Sequence, residues 1–326
     1  IEPDEPDLVP ENNRLAFAVE LVDRPMQVLF VDGYPRWEYR YLKNLLIRQQ
    51  SIESSNFLLT ADRDFAQEGN APITRLPRSV DEWEPYDVIV IGDVPAGFFS
   101  PEQTELIRDH VAENGAGLLW IGGERSMPGT YEDTVLADLL PFTGGTRLPS
   151  IGRPVTMEPT PLAERLGILQ LVLGEDRGWP EALRDPAIGW SQLSWAQRIE
   201  PERMKPTAEA LARTVQSVDG SPLPLVVHMR FGAGQSIYVA TDEIWRWRYG
   251  RGELLPEQFW IQMIRMLGRE SLVGTGDRAM LDANPRRVAV GQPMRIDLRL
   301  LDAQLADARR ESVRVTIDGT AGRVSE

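Results

Sequence analysis

Four short, nearly continuous apolar runs stand out in the first part of the chain, at residues 27–31, 56–60, 87–91 and 117–121. Runs of this length and composition are typical of parallel strands that are covered on both faces. Between them the apolar positions change to helical spacing, most clearly at Trp37, Tyr41, Leu42, Leu45 and Leu46. Strands that alternate with helices in this way predict an α/β domain with a parallel sheet and right-handed crossovers.

Local signals predict where several of these elements begin and end. Residues 100–103 (SPEQ) have the form of a capping box with proline at the first helical position, and residues 114–115 (NG) suit the end of that helix. Residues 223–230 and 235–241 flank a turn that contains two glycines, which predicts a hairpin. Residues 256–267 predict a last amphipathic helix.

The two ends of the chain have a different pattern. Residues 1–24 are interpreted as an acidic, proline-rich linker and the last strand of a preceding β-domain, and residues 274–326 as the start of an immunoglobulin-like β-domain. This leaves residues 25–273 as the α/β domain, with the Pro- and Trp-rich residues 146–221 as an insertion. Because the chain begins at Ile1 rather than Met, we expect it to be a fragment of a longer protein.

Composition excludes several classes of function. The net charge of −14 argues against nucleic acid or an anionic membrane surface as the main partner, because both need a basic surface. The chain has no cysteine, which rules out disulfides, zinc–thiolate sites, iron–sulfur clusters and thiol nucleophiles. It has two histidines, which gives little support to histidine-rich metal sites or Ser-His-Asp catalysis. No stretch approaches the roughly 18 apolar residues of a membrane helix.

Acidic residues follow the predicted strands, where ligands bind in open parallel sheets. They are Asp32, Asp93, Glu124 and Asp242. Such oxygens could hold Mg²⁺ or Ca²⁺, or act as a general acid and base. The alternative, which we favour, is that each carboxylate caps a helix or pairs with an arginine such as Arg36.

Glycine and tryptophan mark two further candidates for ligand binding. Gly122 and Gly123 could let a backbone approach a ligand closely, although no nucleotide-binding fingerprint surrounds them. Trp245 and Trp247 alternate with arginines in residues 243–252 (EIWRWRYGRG), a pattern suited to sugar or peptide recognition. The alternative is that these tryptophans pack the loop onto the edge of the sheet.

Three segments together resemble a known family. They are residues 28–46 (VLFVDGYPRWEYRYLKNLL), 115–142 (GAGLLWIGGERSMPGTYEDTVLADLLPF) and 232–248 (GAGQSIYVATDEIWRWR). They resemble the glutamine amidotransferase-like domain of large bacterial membrane proteins, over roughly residues 25–272. The resemblance implies a flavodoxin-like fold of the class I glutamine amidotransferase type. It also implies a membrane-anchored parent protein with immunoglobulin-like neighbours and a soluble, extracytoplasmic domain.

The catalytic residues of class I amidotransferases are missing at the corresponding positions. The nucleophilic cysteine would fall near Gly122 and Gly123, and the histidine would fall in residues 241–243 (TDE). Thiol-based amide hydrolysis is therefore unavailable, and Glu243 alone cannot replace the missing pair.

We therefore predict a non-catalytic binding or scaffolding module of an envelope-associated protein, with no catalytic residues, metal ligands or cofactor. The predicted ligand cleft consists of Asp32, Arg36, Asp93, Gly122, Gly123, Glu124, Asp242, Trp245 and Trp247. The expected partners are other domains of the same chain or an envelope protein, with a small molecule, sugar or peptide as ligand. The alternative is a metal-assisted hydrolase that uses the acidic residues at the strand ends.

Overall fold

The computed structural model describes residues 24–60, 67–143, 148–172, 178–272, 279–284, 295–300, 316–319 and 322–325. The chain divides into two compact units. One is Arg24–Gly274, and the other combines Ile1–Asp23 with Thr275–Glu326. The domain boundaries predicted from the pattern of the sequence stay a prediction.

An eight-stranded sheet runs through the first unit, in the order β2-β1-β3-β4-β8-β7-β6-β5. Its strands are β1 (Met26–Asp32), β2 (Ile52–Leu58), β3 (Val88–Ile91), β4 (Gly117–Ile121), β5 (Met157–Pro159), β6 (Ala208–Thr214), β7 (Pro224–Phe231) and β8 (Gly234–Val239). The pairings among β2, β1, β3, β4 and β8 are parallel. Those of β5, β6, β7 and β8 with one another are antiparallel.

Helices cover this sheet. They are α1 (Trp37–Arg48), α2 (Val80–Trp83), α3 (Pro101–Asn114), α4 (Pro161–Arg165), α5 (Arg248–Arg251) and α6 (Leu254–Leu272). Short 3-10 turns lie at Ala96–Phe98, Val135–Leu139, Glu181–Leu183, Pro201–Arg203 and Ile244–Trp247. Helix α6 packs on β4 and β8, α1 packs on β2, and α3 packs on β8. Helix α1 follows directly from the carboxyl end of β1, which brings its first turn to the edge where the sequence predicts a site.

The predicted flavodoxin-like, wholly parallel sheet is wrong. The sheet is mixed because β7 and β8 form a hairpin and β6 and β5 extend it in antiparallel fashion. Two of these strands, β5 and β6, come from residues 146–221, which the sequence predicts to be an insertion. The sequence of β6 is AEALART, rich in residues that favour helix in isolation. Pairing with β7 overrides that local preference.

Several local predictions are confirmed. Ser100 accepts a hydrogen bond from the backbone N–H of Gln103 and completes a capping box at the start of α3. Gly115 ends that helix with a φ of 75°, which glycine adopts without strain. The predicted hairpin is formed by β7 and β8. The second strand lies earlier than predicted, at Ile52–Leu58.

Complete burial explains the continuous apolar runs. In β1, Leu29, Phe30 and Val31 have no exposed surface. Burying such a side chain contributes roughly 1.5–3 kcal/mol relative to leaving it in water. In β3 and β4 every residue is buried, so neither face carries the polar residues of a half-exposed strand.

The second unit is described only by short ladders. Strand β9 (Ala279–Asn284) pairs antiparallel with β10 (Arg295–Leu300), and β11 (Thr316–Gly319) pairs antiparallel with β12 (Gly322–Ser325). Within the described residues these ladders are two separate two-stranded sheets, and the immunoglobulin-like domain stays a prediction. The strand predicted at residues 13–22 lies outside the described part of the chain.

Candidate functional site

Arg36 connects several of the predicted cleft residues. It precedes α1 in extended conformation, and its side chain is 6% exposed. Its Nε donates to Asp32 Oδ2 at 3.0 Å, while its Nη1 donates to the Gly122 carbonyl at 2.9 Å and to Asp242 Oδ2 at 3.0 Å. Its Nη2 is buried and has no hydrogen-bond partner. One guanidinium group therefore links the carboxyl ends of β1, β4 and β8 by hydrogen bonds.

The electrostatics of this cluster depend on its burial. Asp32 is completely buried, and burial raises its pKa even though the adjacent Arg36 favours the ionised carboxylate. Burial alone would lower the pKa of Arg36, but the carboxylates of Asp32, Asp242 and Asp93 together raise it. Arg36 therefore remains charged, and its pairing with Asp32 and Asp242 matches the arginine-pairing alternative.

Asp93 has a different role, as the internal anion of a loop. Its carboxylate accepts hydrogen bonds from the backbone N–H groups of Arg125 at 3.0 Å, Ser126 at 2.6 Å and Met127 at 2.8 Å. It also accepts one from the Tyr34 hydroxyl at 3.1 Å. Consecutive N–H groups that converge in this way form an anion-binding concavity. Here Asp93 fills the concavity.

The glycines after β4 make room for this carboxylate. A Cβ on Gly123 would lie 2.1 Å from Asp93 Cγ, far inside van der Waals contact. The Gly123 carbonyl accepts a hydrogen bond from Gln197 Nε2 at 3.1 Å, and the same nitrogen donates to the Met127 carbonyl at 2.7 Å. The close approach that glycine permits is therefore made by protein groups.

Glu124 stands apart from the other acidic residues, because it is exposed and lies outside the Arg36 cluster. Within the described ranges, no group of three or more His, Asp or Glu side chains is placed to hold a metal ion. The metal-assisted alternative therefore draws no specific support from this part of the chain.

Four aromatic side chains form a second feature beside the Arg36 cluster, named here the aromatic surface: Trp37, Tyr41, Trp245 and Tyr249. Trp37 contacts Tyr41 with ring centroids 6.0 Å apart and Trp245 at 5.8 Å. Trp245 also contacts Tyr41 at 6.4 Å and Tyr249 at 6.0 Å. Trp37 is 51% exposed and Tyr249 is 66% exposed. The sequence predicts Trp37 on the apolar stripe of α1, and the structure places it in water instead.

Three arginines, named here the arginine rim, lie over these rings. The guanidinium carbon of Arg40 is 5.7 Å from the centre of Trp37, that of Arg246 is 5.8 Å from Trp245, and that of Arg248 is 4.2 Å from Tyr41. Contacts of this kind are cation–π interactions, and they hold the arginines at the border of the aromatic surface.

Trp247 differs from Trp245, although both lie in the 3-10 turn Ile244–Trp247. It is completely buried, it packs edge-on against Trp179 and Phe259 at 5.6 Å each, and its Nε1 donates to the Ser191 carbonyl at 3.3 Å. The packing alternative therefore describes Trp247, while Trp245 is part of the aromatic surface.

Glu38 is a buried residue of the site that the sequence analysis misses. It is 1% exposed, and its carboxylate accepts from Trp260 Nε1 at 2.7 Å and from the Trp245 backbone N–H at 3.2 Å. Burial raises the pKa of Glu38 to about 8, against the opposing effect of these two hydrogen bonds. A signal was present in the sequence, because Glu38 precedes Leu42 and Leu45 on the buried stripe of α1.

A groove adjoins the aromatic surface and shares Tyr41, Trp245 and Arg248 with it. Its lining is completed by Leu45, Arg48, Glu253, Pro256, Glu257 and Trp260. Arg48 bridges Glu253 at 2.8 Å and also pairs with Glu257, so the charges within the groove are largely matched. Trp260, which donates to Glu38, connects the groove to the buried carboxyl beneath it.

Solved structures resemble this chain, although no protein-family model and no curated protein matches it. The cytoplasmic protein STM3548 from Salmonella typhimurium matches with a TM-score of 0.50 and 17% identity, over 74% of this chain and 99% of that one. The cytoplasmic protein STM1381 from Salmonella typhimurium LT2 matches with a TM-score of 0.49 and 20% identity, over the same shares. At this identity the first match shows a shared fold alone, and the amidotransferase-like resemblance stays a prediction.

The predicted membrane-anchored, extracytoplasmic setting is contradicted. The name of STM3548, the match with the TM-score of 0.50, describes that protein as cytoplasmic. Among the helices described, none is long and apolar enough to cross a membrane.

Proposed function

We propose that this protein is a non-catalytic binding module whose ligand binds at the aromatic surface. The observation that carries the proposal is the exposure of Trp37 and Tyr249, at 51% and 66%, in continuous ring contact through Trp245. Isolated apolar side chains are common on protein surfaces, but a contiguous patch bordered by polar groups is typical of an interaction site. Tryptophan, tyrosine and arginine are also the residues that most often dominate binding energy.

The residues at the strand ends support binding rather than chemistry. Asp32 and Asp93 are buried and hydrogen-bonded to Arg36 and to backbone N–H groups respectively. Gly122 and Gly123 stand where the resemblance would require a nucleophile, and the chain has no cysteine. A catalytic carboxylate must reach a substrate proton, and these two carboxylates are committed to protein donors.

Buried hydrogen bonds hold the segments that carry the aromatic surface. Tyr41 and Trp37 extend from α1, which is anchored at its first turn by Arg36 and Glu38. Trp245 is held by its backbone N–H on Glu38. Side chains that are fixed before binding lose less conformational freedom on binding, which favours affinity.

The test is a binding screen with the full chain on peptide and oligosaccharide arrays. The wild type is compared with the double variant Trp37→Ala/Tyr249→Ala and with Phe98→Ala. Phe98 is the matched control, because it is an aromatic residue that is 38% exposed and its ring contacts Phe57 and Phe99 rather than the aromatic surface. We expect a ligand that the wild type and Phe98→Ala bind and the double variant does not.

Two results would refute the proposal. One is a screen in which every ligand of the wild type is also bound by the double variant. The other is sustained glutamine hydrolysis by the purified wild type, measured as ammonia release above a protein-free blank.

A further inference from the structure

We infer that the ligand of the aromatic surface is an acidic peptide with a large apolar side chain. The inference rests on the proposed function and adds the chemistry of the ligand. The arginine rim would bind the carboxylates of the peptide, and the groove would take its apolar side chain.

The charge of the rim is the first argument. The chain as a whole carries a net charge of −14, yet three arginines border the aromatic surface. Among the described residues, no carboxylate lies within ion-pair distance of the Arg40 guanidinium, which rests on Trp37. A local cationic border attracts an acidic partner and repels a basic one.

The other two rim arginines have only distant carboxylate partners. Arg246 is 3.9 Å from Glu243, whose carboxylate already accepts hydrogen bonds from the backbone N–H groups of Ser194 and Trp195. Arg248 is 4.0 Å from Glu253, which Arg48 approaches more closely, at 2.8 Å. The rim therefore keeps positive charge that a ligand carboxylate can neutralise.

The N–H groups left on the rim are the second argument. Arg248 Nη1 donates to the Tyr41 hydroxyl and Arg246 Nε donates to the Gln192 carbonyl. Among the described residues the Arg40 guanidinium has no hydrogen-bond partner, and its planar N–H edge matches the two oxygens of a carboxylate. Because the ring restricts its motion, less conformational freedom is lost when the carboxylate binds.

The groove decides between a peptide and a sugar. Its apolar lining comes from Leu45, Pro256 and Trp260, and its two carboxylates, those of Glu253 and Glu257, are already paired with Arg48. A sugar would bring hydroxyl groups that need partners here, and burying them unpaired is unfavourable. An apolar side chain has no such requirement and gains from leaving water.

The experiment measures fluorescence anisotropy of a labelled decapeptide with eight glutamates around a central leucine pair. The comparison peptide replaces every glutamate with glutamine, and an oligogalacturonate serves as an acidic sugar. Each ligand is titrated with the wild-type chain and with four variants: Arg40→Gln, Tyr249→Ala, Trp37→Ala/Tyr249→Ala and Arg165→Gln. Arg165 is the matched control, because it is an exposed arginine on α4, away from the aromatic surface.

We expect the acidic peptide to bind the wild type and Arg165→Gln equally. Arg40→Gln should weaken it by about tenfold, which is about 1.4 kcal/mol, because one charge-assisted hydrogen bond to a ligand carboxylate is lost. The same variant should also reduce the dependence of affinity on salt concentration. Arg40 and Arg165 are both exposed, so the thermal unfolding of Arg40→Gln and Arg165→Gln should match that of the wild type.

Four outcomes would overturn the inference. They are no binding of the acidic peptide, equal binding of its glutamine counterpart, no effect of Arg40→Gln, or tighter binding of the oligogalacturonate. If the oligogalacturonate binds more tightly and Tyr249→Ala no longer binds it, the acidic-peptide inference fails but the proposed function stands. If the acidic peptide binds Trp37→Ala/Tyr249→Ala as well as the wild type, the proposed function fails too.

Discussion

The buried carboxyl of Glu38 should make the stability of the protein fall as the pH rises. Its pKa is raised to about 8 in the folded protein, mainly because burial disfavours the ionised form. In the unfolded chain the pKa of a glutamate is roughly 4.3. Between these two values the unfolded state releases a proton that the folded state keeps. The contribution of Glu38 to stability is therefore complete below the unfolded pKa and is lost as the pH rises through the folded pKa.

The size of the effect follows from the same two values. One proton of difference changes the free energy of unfolding by about 1.4 kcal/mol per pH unit. Between about pH 5.5 and about pH 7.5 the wild type should therefore lose about 3 kcal/mol through Glu38. In Glu38→Gln the amide cannot ionise, so this loss is absent.

The substitution also has an effect that does not depend on pH. The amide keeps one oxygen for Trp260 Nε1, but its nitrogen faces the backbone N–H of Trp245. Losing that hydrogen bond should destabilise the variant by about 1 kcal/mol at every pH. Only the slope of stability against pH reports the ionisation of Glu38.

Urea unfolding at a series of pH values, followed by tryptophan fluorescence, measures that slope. Glu105→Gln is the matched control, because it makes the same substitution at an exposed position on α3. Other titrating groups contribute to the wild type and to both variants, so they cancel in the comparison. Equal slopes for the wild type and Glu38→Gln would refute the reasoning.

Three further predictions concern the framework of the site, each measured as the free energy of unfolding in urea. Arg36→Met should destabilise the protein by about 3–5 kcal/mol, because Asp32 is left buried without its cation, and adding Asp32→Asn should restore part of that loss. Gly123→Ala should cost about 1–3 kcal/mol through overpacking, whereas Gly97→Ala, with no atom near its Cβ position, should not. Trp247→Ala should cost about 3–5 kcal/mol, and a loss below 1 kcal/mol would contradict its placement in the core.

Much of the local structure could be predicted because its signals are local. The capping box at Ser100, the helix end at Gly115 and the β7–β8 hairpin depend on residues that are neighbours in sequence. The buried parallel strands could be recognised because complete burial leaves a continuous apolar run. Strand β6 could not be recognised, because its sequence favours helix and only its pairing with β7 and β5 makes it a strand.

The candidate site could be predicted in part. The rule that functional groups lie at the ends of parallel strands correctly brought Asp32 and Asp242 together, and Arg36 was available to pair with them. It could not reveal that the pairing buries Asp32. It also could not separate Trp245 from Trp247, which lie two positions apart in one turn and differ in exposure because they face different surroundings.

By itself the sequence determined which chemistry is unavailable, the acidic charge of the chain and the positions of its main buried strands. The absence of cysteine and the glycines at 122 and 123 exclude a thiol nucleophile in any fold. Only the tertiary structure decided the mixed order of the sheet, the assembly of the aromatic surface and the burial of Glu38. The physical reason is that pairing and burial depend on residues far apart in the chain. Trp37 and Trp245 are separated by most of the domain, and the packing of α1 against the 3-10 turn Ile244–Trp247 brings them together.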